Sequence, residues 1–343
     1  SSQNSMSRQT QGRLSRKDAV KAGIAVLVLL VLLLSGVLAL HFWEERRYAT
    51  GSAESDVEPA AASEEQELVV YEGDNYRRRS GLETYLLLGI DKSGEAVAVD
   101  SYEGGGQADV QMVLVVDNVN ETWQMLQINR DTITKVPVLD VLGEIAAYAD
   151  EQIALAHYYG NGGTLSCENT ELAVSMLLND QPIDGYFSVN MDAVSILTDL
   201  VGGVTLTITS DFSEIDPSLV QGETMALNGQ KALTYIRSRH HIDDQTNIAR
   251  MARQRQFLAA LEEKLQQQDA QFAATAYAAL SDYMVTDIAS GTASQIGEKL
   301  KQYRQLDVLT IEGENVIENG YWAYHLDETS RMKTILQLFY EKE

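Results

Sequence analysis

One cysteine and four prolines are all that 343 residues contain, and aromatic residues make up only 7%. The lone Cys167 excludes an intramolecular disulfide framework, so a folded domain here must stand on its own core. There is no CxxC and no HExxH, and the histidines (His41, His157, His240, His241, His325) do not cluster at zinc-ligand spacing. A GxSxG elbow and a Walker motif are also missing; Gly104-Gly105-Gly106 lacks the Lys-Ser/Thr of a phosphate-binding loop. Positive charge is scarce as well: 26 Lys and Arg stand against 50 Asp and Glu, for a formal net charge of −24. A chain this acidic is unsuited to nucleic acid or to anionic lipid headgroups.

What the chain does have begins with an apolar run. Residues 22–42 read AGIAVLVLLVLLLSGVLALHF, without Asp, Glu, Lys or Arg. At 1.5 Å per residue, about 20 apolar residues cross a bilayer core of about 30 Å. The run exceeds a signal h-region of about 7–15 residues, and the HFWEERR behind it suits an interface with Trp43 at headgroup depth. Arg8, Arg13, Arg16, Lys17 and Lys21 precede it, against Arg46 and Arg47 just after. The positive-inside rule then puts the N-terminus in the cytoplasm and the main domain outside the cell membrane. The expected organisation is a basic tail (1–21), a transmembrane helix (22–42), an acidic extracellular linker (43–80), a folded domain (81–270) and a C-terminal α/β extension (271–343) packed on it. The linker expectation rests on ten acidic and five basic residues in 44–80 with almost no apolar periodicity.

Within the folded part, TYLLLGID (84–91) reads as a buried strand, and residues 110–129 as strand, turn and strand. Helical periodicity marks 171–179 and 191–201; Gly202-Gly203 stops the second, and VTLTIT (204–209) resumes as a strand. Residues 229–239 and 247–268 read as further helices. The last 75 residues hold a helix around TASQIGEKLKQYR, two short strands and a terminal helix, MKTILQLFYEK. Strands and helices alternating at these lengths predict an α/β sandwich with helices packed on a central sheet. Trp123, on a strand with alternating partners, reads as core.

Against the acidic background, Arg237, Arg239, Arg250, Arg253 and Arg255 are concentrated in one stretch, and Arg130 stands alone at a strand end. A helix over 247–268 puts Arg250 and Gln254 at i and i+4 on one face, with Arg253 turned towards a neighbouring face. Guanidinium forks match phosphate oxygens bidentately. Asp91 and Asp109, at strand ends, could hold a divalent ion against the same phosphates. The arginines could equally pair with the abundant carboxylates on a solvated face, and spacing alone leaves both readings open.

Five segments, in order, resemble the LytR–CpsA–Psr family of cell-wall polymer ligases. They are LLLGID (86–91), Gln107-Ala108-Asp109, Asn129-Arg130-Asp131-Thr132, LTDLVGGVTLTI (197–208), and LNGQKALTYIRSRHH followed by NIARMARQRQF (227–257). The resemblance implies an α-β-α sandwich with a central mixed sheet and a hydrophobic pocket for a lipid tail. It implies a Mg²⁺-dependent phosphotransferase that moves a glycopolymer from a polyprenyl-pyrophosphate carrier onto peptidoglycan. Carried over by position, Asp91 and Asp109 would hold the metal, and Arg130, Arg237, Arg239, Arg250 and Gln254 would grip the pyrophosphate. Asp131 would orient its neighbours or help activate the acceptor hydroxyl, so that Arg130 and Asp131 form the catalytic pair.

Three positions depart from the family pattern: Gln107 stands where the family has Arg, Asn247 where it has Asp, and Ala154 where it often has Asn. Asp243 or Asp244, just upstream, offers a substitute carboxylate, and Asn247 itself suits a helix N-cap. The departures keep a second function in view, a module that binds lipid-linked polymer or scaffolds envelope partners without transferring anything.

Overall fold

The computed structural model describes residues 68–92 and 105–343, apart from 266, 269–271, 273, 274, 277 and 278. The expected tail, transmembrane helix and first part of the linker lie outside the described residues, as do residues 93–104. Among the described residues, no helix is long and apolar enough to cross a membrane.

The strands are β1 (Leu68–Tyr71), β2 (Asp74–Arg78), β3 (Leu82–Asp91), β4 (Gln107–Asp117), β5 (Thr122–Ile128), β6 (Ile133–Leu139), β7 (Ile145–Gln152), β8 (Gly185–Asn190), β9 (Val204–Thr207) and β10 (Thr224–Leu227). Towards the C-terminus follow β11 (Met284–Thr286), β12 (Arg304–Gln305), β13 (Leu309–Thr310), β14 (Gly313–Glu318), β15 (Tyr321–Leu326) and β16 (Tyr340–Lys342). The helices are α1 (Leu155–Tyr158), α2 (Thr164–Leu177), α3 (Asp192–Leu200), α4 (Gly229–Arg237), α5 (Asn247–Leu265), α6 (Ser290–Gln302) and α7 (Glu328–Phe339).

A mixed sheet in the order β11-β8-β3-β4-β5-β12, with β13 also on β5, forms the centre. β3 to β5 form an antiparallel meander, and β8 joins β3 in parallel. Side chains alternate across it: Leu87, Met112 and Leu114 face one buried cluster, with Leu197, Leu233 and Phe257. Leu88, Val113 and Val115 face the other, with Val174, Ile335 and Phe339. Both faces are covered, so these strands read as near-continuous apolar runs. Trp123 is core, 2% exposed, its indole N–H donating to the Leu300 carbonyl.

The linker expected to run to residue 80 is structured from Leu68 on. Glu72 and Gly73 both adopt positive φ (51° and 86°), the combination that a tight two-residue hairpin turn requires, and β1 and β2 pair across it. β16 completes a three-stranded sheet, and Arg79, expected in a solvated run, pairs with buried Asp117 at 2.6 Å. The C-terminal extension is woven into the central sheet, since β11 adds to β8 on one side while β12 and β13 add to β5 on the other.

The Gly202-Gly203 stop is enforced by geometry. Gly203 has φ +89°, and a Cβ there would lie 2.8 Å from the Leu227 carbonyl. Gly229 opens α4 so close to α3 that a Cβ would lie 2.2 Å from the Ser195 carbonyl, and its N–H donates to Asp199 Oδ1 at 2.7 Å. This close approach fixes α4, and with it the arginines at its end.

Candidate active site

One edge of the sheet gathers the C-terminal ends of β3, β5 and β8 and the start of β4. The β3–β4 pairing slips at Gly89/Ile90, where Gly89 pairs with Val110 and Ile90 with Ala108, leaving Asp109 as the extra residue of a bulge. A bulge re-aims its side chain. Here Asp109 is 4% exposed and receives Arg130 Nη1 on Oδ1 at 2.6 Å and Arg250 Nη1 on Oδ2 at 3.0 Å.

The other parts come from three further elements. Arg130 follows β5, its Nη2 donating to Gln107 Oε1 and its Nε lying 3.5 Å from Asp131 Oδ1. Arg237 ends α4 and pairs at 2.7 Å with Asp91, both side chains more than a third exposed. Ser238 turns to extended backbone, so Arg239 points elsewhere: its two Nη groups grip the two oxygens of fully buried Asp131. Arg250 rises from α5, with Nε on Asn247 Oδ1 at 2.9 Å. Burial pulls the pKa of Arg250 below the ordinary guanidinium value, and the adjacent Asp109 carboxylate opposes that fall.

The sequence-derived residues thus form two groups. Arg130, Asp131, Arg239, Arg250 and Asp109 form a buried network, while Asp91 and Arg237 stand together at its open side. Three guanidiniums against two carboxylates leave one positive charge in excess inside the network. Arg250 Nη2, Asn129 Nδ2 and Gln254 Oε1 are buried there without a hydrogen-bond partner among the described residues. Surplus charge with a buried, unpaired guanidinium donor suits an anion.

Gln254 joins this network to an apolar cavity of about 100 Å³ lined by Leu87, Gly89, Val110, Met112, Phe187, Val194, Ile236, Phe257 and Leu258, among others. Val110 and Ile236 directly neighbour Asp109 and Arg237 in the chain. Charged cluster and apolar cavity therefore abut, one turned towards anions and the other towards hydrocarbon.

Several details differ from the sequence-based expectations. Asn247 does not cap α5. It is the first helical residue, fully buried, and its side chain links Arg250 to Asn129 Oδ1 (3.2 Å), while Thr246 Oγ1 accepts the Ile248 N–H at 3.4 Å. Asp243 and Asp244 do not replace the missing carboxylate: Asp243 accepts from Ser210 and Asp244 from Thr246. Arg253 is 2% exposed and anchors the site without belonging to it. It donates to the Tyr235 carbonyl (2.7 Å) and the Ser238 carbonyl and stacks over Phe212, so it fixes the end of α4. Two residues carried no sequence signal: Gln152, which donates to Asp131 Oδ1 at 3.0 Å, and His157, buried with Nδ1 2.9 Å from the Gly106 carbonyl. Burial pushes the His157 pKa down to about 4. Cys167 is buried, its thiol pushed up to about 12 by desolvation, so it is inert as a nucleophile at neutral pH.

Among the described residues, no group of three or more His, Cys, Asp or Glu could enclose a metal ion. Asp91 and Asp109 nevertheless offer hard carboxylate oxygens at adjoining strand ends beside the unpaired Arg250 donor. Mg²⁺ takes one or two carboxylates and fills its shell with phosphate oxygens and water, but here both Asp109 oxygens already receive arginines and Asp91 is paired with Arg237.

A mixed α/β sandwich with an arginine-rich strand edge beside an apolar cavity defines the class, and comparison with known proteins gives the family. The LytR_cpsA_psr family model matches residues 47–339, and the chain belongs to this family. The polyisoprenyl-teichoic acid–peptidoglycan teichoic acid transferase TagU of Bacillus subtilis is 26% identical over 252 residues, covering 73% of this chain and 71% of that protein. The protein of the same name from Halalkalibacterium halodurans is 31% identical over 176 residues, about half (51%) of each chain. Among solved structures, protein gbs0355 of Streptococcus agalactiae superposes with a TM-score of 0.60 at 22% identity, over 75% of this chain and 86% of that one, a likeness of fold.

Proposed function

We propose that this protein is a membrane-anchored phosphotransferase that moves a glycopolymer from a polyprenyl-pyrophosphate carrier onto peptidoglycan outside the cell. The observation that carries the reading is the junction of the buried arginine network, with its surplus positive charge, and the apolar cavity that Gln254 adjoins. A prenyl pyrophosphate has this same division, hydrocarbon on one side and concentrated negative charge on the other. The names of the relatives, which act on teichoic acid and peptidoglycan, support the substrate class.

In the reaction, an acceptor hydroxyl oxygen bonds to the phosphorus carrying the glycan, and the anhydride P–O bond breaks. Polyprenyl phosphate leaves with the bonding electrons, and the hydroxyl proton passes to solvent. Charge neutralisation and alignment dominate the catalysis of such transfers. Arg130, Arg239 and Arg250 supply fixed donors, and Arg237 closes the open side. Asp131, with no exposed oxygen, orients Arg239 and Arg130. Mg²⁺ held by Asp91 and Asp109 would have to share their oxygens with these arginines, and would neutralise part of the pyrophosphate charge.

A second reading, binding without transfer, is motivated by Gln107 and Asn247. The geometry favours transfer over it. Gln107 accepts from Arg130 and Asn247 from Arg250, so both arginines keep a partner. The family's Arg and Asp would add one charge of each sign at these positions, so the net charge of the network is conserved without them.

The test incubates the full chain in detergent with a polyprenyl pyrophosphate and Mg²⁺ and follows phosphate release. Release that requires Mg²⁺ and is lost in Asp91→Ala supports the proposal. No release above background, or release unchanged in Asp91→Ala, refutes it.

A further inference from the structure

The C-terminal extension meets the corner of the arginine network through the backbone of Tyr324 and through the side chain of Gln152, which bonds the Trp322 carbonyl. Asn129 to Thr132, the corner that carries Arg130 and Asp131, is held from two sides. On one side, the N–H groups of Ile153 and Ala154, just past β7, donate to the carbonyls of Thr132 (2.8 Å) and Arg130 (3.2 Å). On the other, Tyr324 of β15 donates its N–H to the Asp131 carbonyl at 2.8 Å, and Thr132 bridges Tyr324 in parallel. Tyr324 is itself 1% exposed and anchored by its hydroxyl on the Ile311 carbonyl at 3.0 Å. Gln152 spans the two sides. Its amide nitrogen donates to Asp131 Oδ1 at 3.0 Å and to the Trp322 carbonyl at 2.5 Å, which uses both of its hydrogens.

Asp131 Oδ1 also accepts Arg239 Nη1 at 3.0 Å, so the carboxylate that aims Arg239 is aimed in turn by Gln152. We infer that Gln152 is a positioning residue for the Asp131–Arg239 pair, through which the β14–β15 hairpin sets the direction of a guanidinium in the anion site. The inference rests on the proposed transfer reaction for its kinetic consequence, but not for its structural one. A buried carboxylate with two donors on one oxygen has few alternative rotamers, and removing one donor frees Arg239 to turn with it. A displacement of about 1 Å in a positioned group lowers turnover by about a hundredfold. A Lys side chain at position 152 has a similar reach and supplies the same donor.

The test uses the full chain and three variants: Gln152→Ala, Gln152→Lys and Gln152→Leu. With a polyprenyl pyrophosphate and Mg²⁺, Gln152→Ala and Gln152→Leu are expected to lower kcat by about tenfold to a hundredfold with KM within about threefold of the parent. Gln152→Lys is expected to restore most of the loss. Equal effects of all three variants, or a change confined to thermal stability, would overturn the inference. A second readout needs no turnover: ¹⁵N signals of the Arg239 guanidinium should show hindered rotation in the parent and Gln152→Lys, and averaged rotation in Gln152→Ala. Unchanged Arg239 signals in Gln152→Ala overturn the inference even if the parent releases phosphate. A parent without release fails the proposed reaction, and the Arg239 signals still decide the role of Gln152.

Discussion

Arg250 and Asp109 meet at 3.0 Å with both side chains 4% exposed, although 141 residues separate them. A strand bulge presents the carboxylate and a helix delivers the guanidinium. The contact joins the two halves of the sequence at the point where an anion would sit.

This pair predicts an asymmetry between the two acidic site residues. Asp109→Ala leaves Arg130 and Arg250 buried without their carboxylate and should cost about 3–5 kcal/mol. Asp91→Ala removes a pair whose members are both more than a third exposed and should cost about 0–1 kcal/mol. Denaturant midpoints of the two variants, compared at equal slope, check this.

The charge balance around Gln107 and Asn247 makes a prediction about coupling. Gln107→Arg alone sets a second guanidinium against Arg130, turns it aside and should weaken inorganic pyrophosphate binding by about threefold. Asn247→Asp alone cancels the surplus charge and should weaken inorganic pyrophosphate binding by about tenfold. Combined, the two changes should bring affinity back to within about threefold of the parent, a coupling of about 1–2 kcal/mol. Titration calorimetry on the four proteins measures it. Simple additivity would show that the two sites do not share one network.

Filling the apolar cavity should separate tail recognition from headgroup recognition. Leu258→Trp occupies space that a prenyl chain would take, beside Phe257 and Val194. KM for a long-chain polyprenyl pyrophosphate should rise about 10–100-fold, while affinity for inorganic pyrophosphate stays unchanged. Steady-state kinetics with long and short prenyl chains reads out the difference.

His157 predicts a pH dependence of stability. Its folded pKa, about 4, lies below the ordinary 6.5, because desolvation disfavours the charged ring. The unfolded chain therefore binds the extra proton first, and stability falls as pH drops from about 6.5 to about 4, by about 3 kcal/mol in all. Half-buried Glu171 opposes this: desolvation raises its pKa to about 7, so its contribution is favourable at low pH and lost as pH rises from about 4.5 to 7. His157→Asn keeps a donor for the Gly106 carbonyl and removes the titration. Below pH 6 it should lose less stability than the parent, and denaturant midpoints from pH 7 to pH 4 show whether it does.

Much of this site was legible in the sequence because its residues fall in contiguous motifs. The segment 227–257 alone carries Arg237, Arg239, Arg250 and Gln254, and helical spacing separates Arg250 from Arg253 correctly. What the sequence hid depends on distant partners. Gln152 matters because Trp322, 170 residues away, offers a carbonyl to the same amide. β11, β12 and β13 are two or three residues long and join the central sheet only by pairing with distant strands, so no local periodicity announces them. β1 and β2 sit in an acidic stretch whose average composition masks LVVY and the Glu72-Gly73 turn. Asn247 suits a cap by its type, but it lies one residue inside the helix, where Arg250 claims its oxygen.

The most direct measurement of the central claim is a transfer assay. The full chain in lipid vesicles is given Mg²⁺, isolated peptidoglycan and a polyprenyl-pyrophosphate-linked glycopolymer labelled on its sugar. Label should enter the insoluble peptidoglycan as polyprenyl phosphate appears in equal amount, and Arg250→Gln should abolish both. Label that stays on the lipid while the protein holds it tightly would contradict that claim.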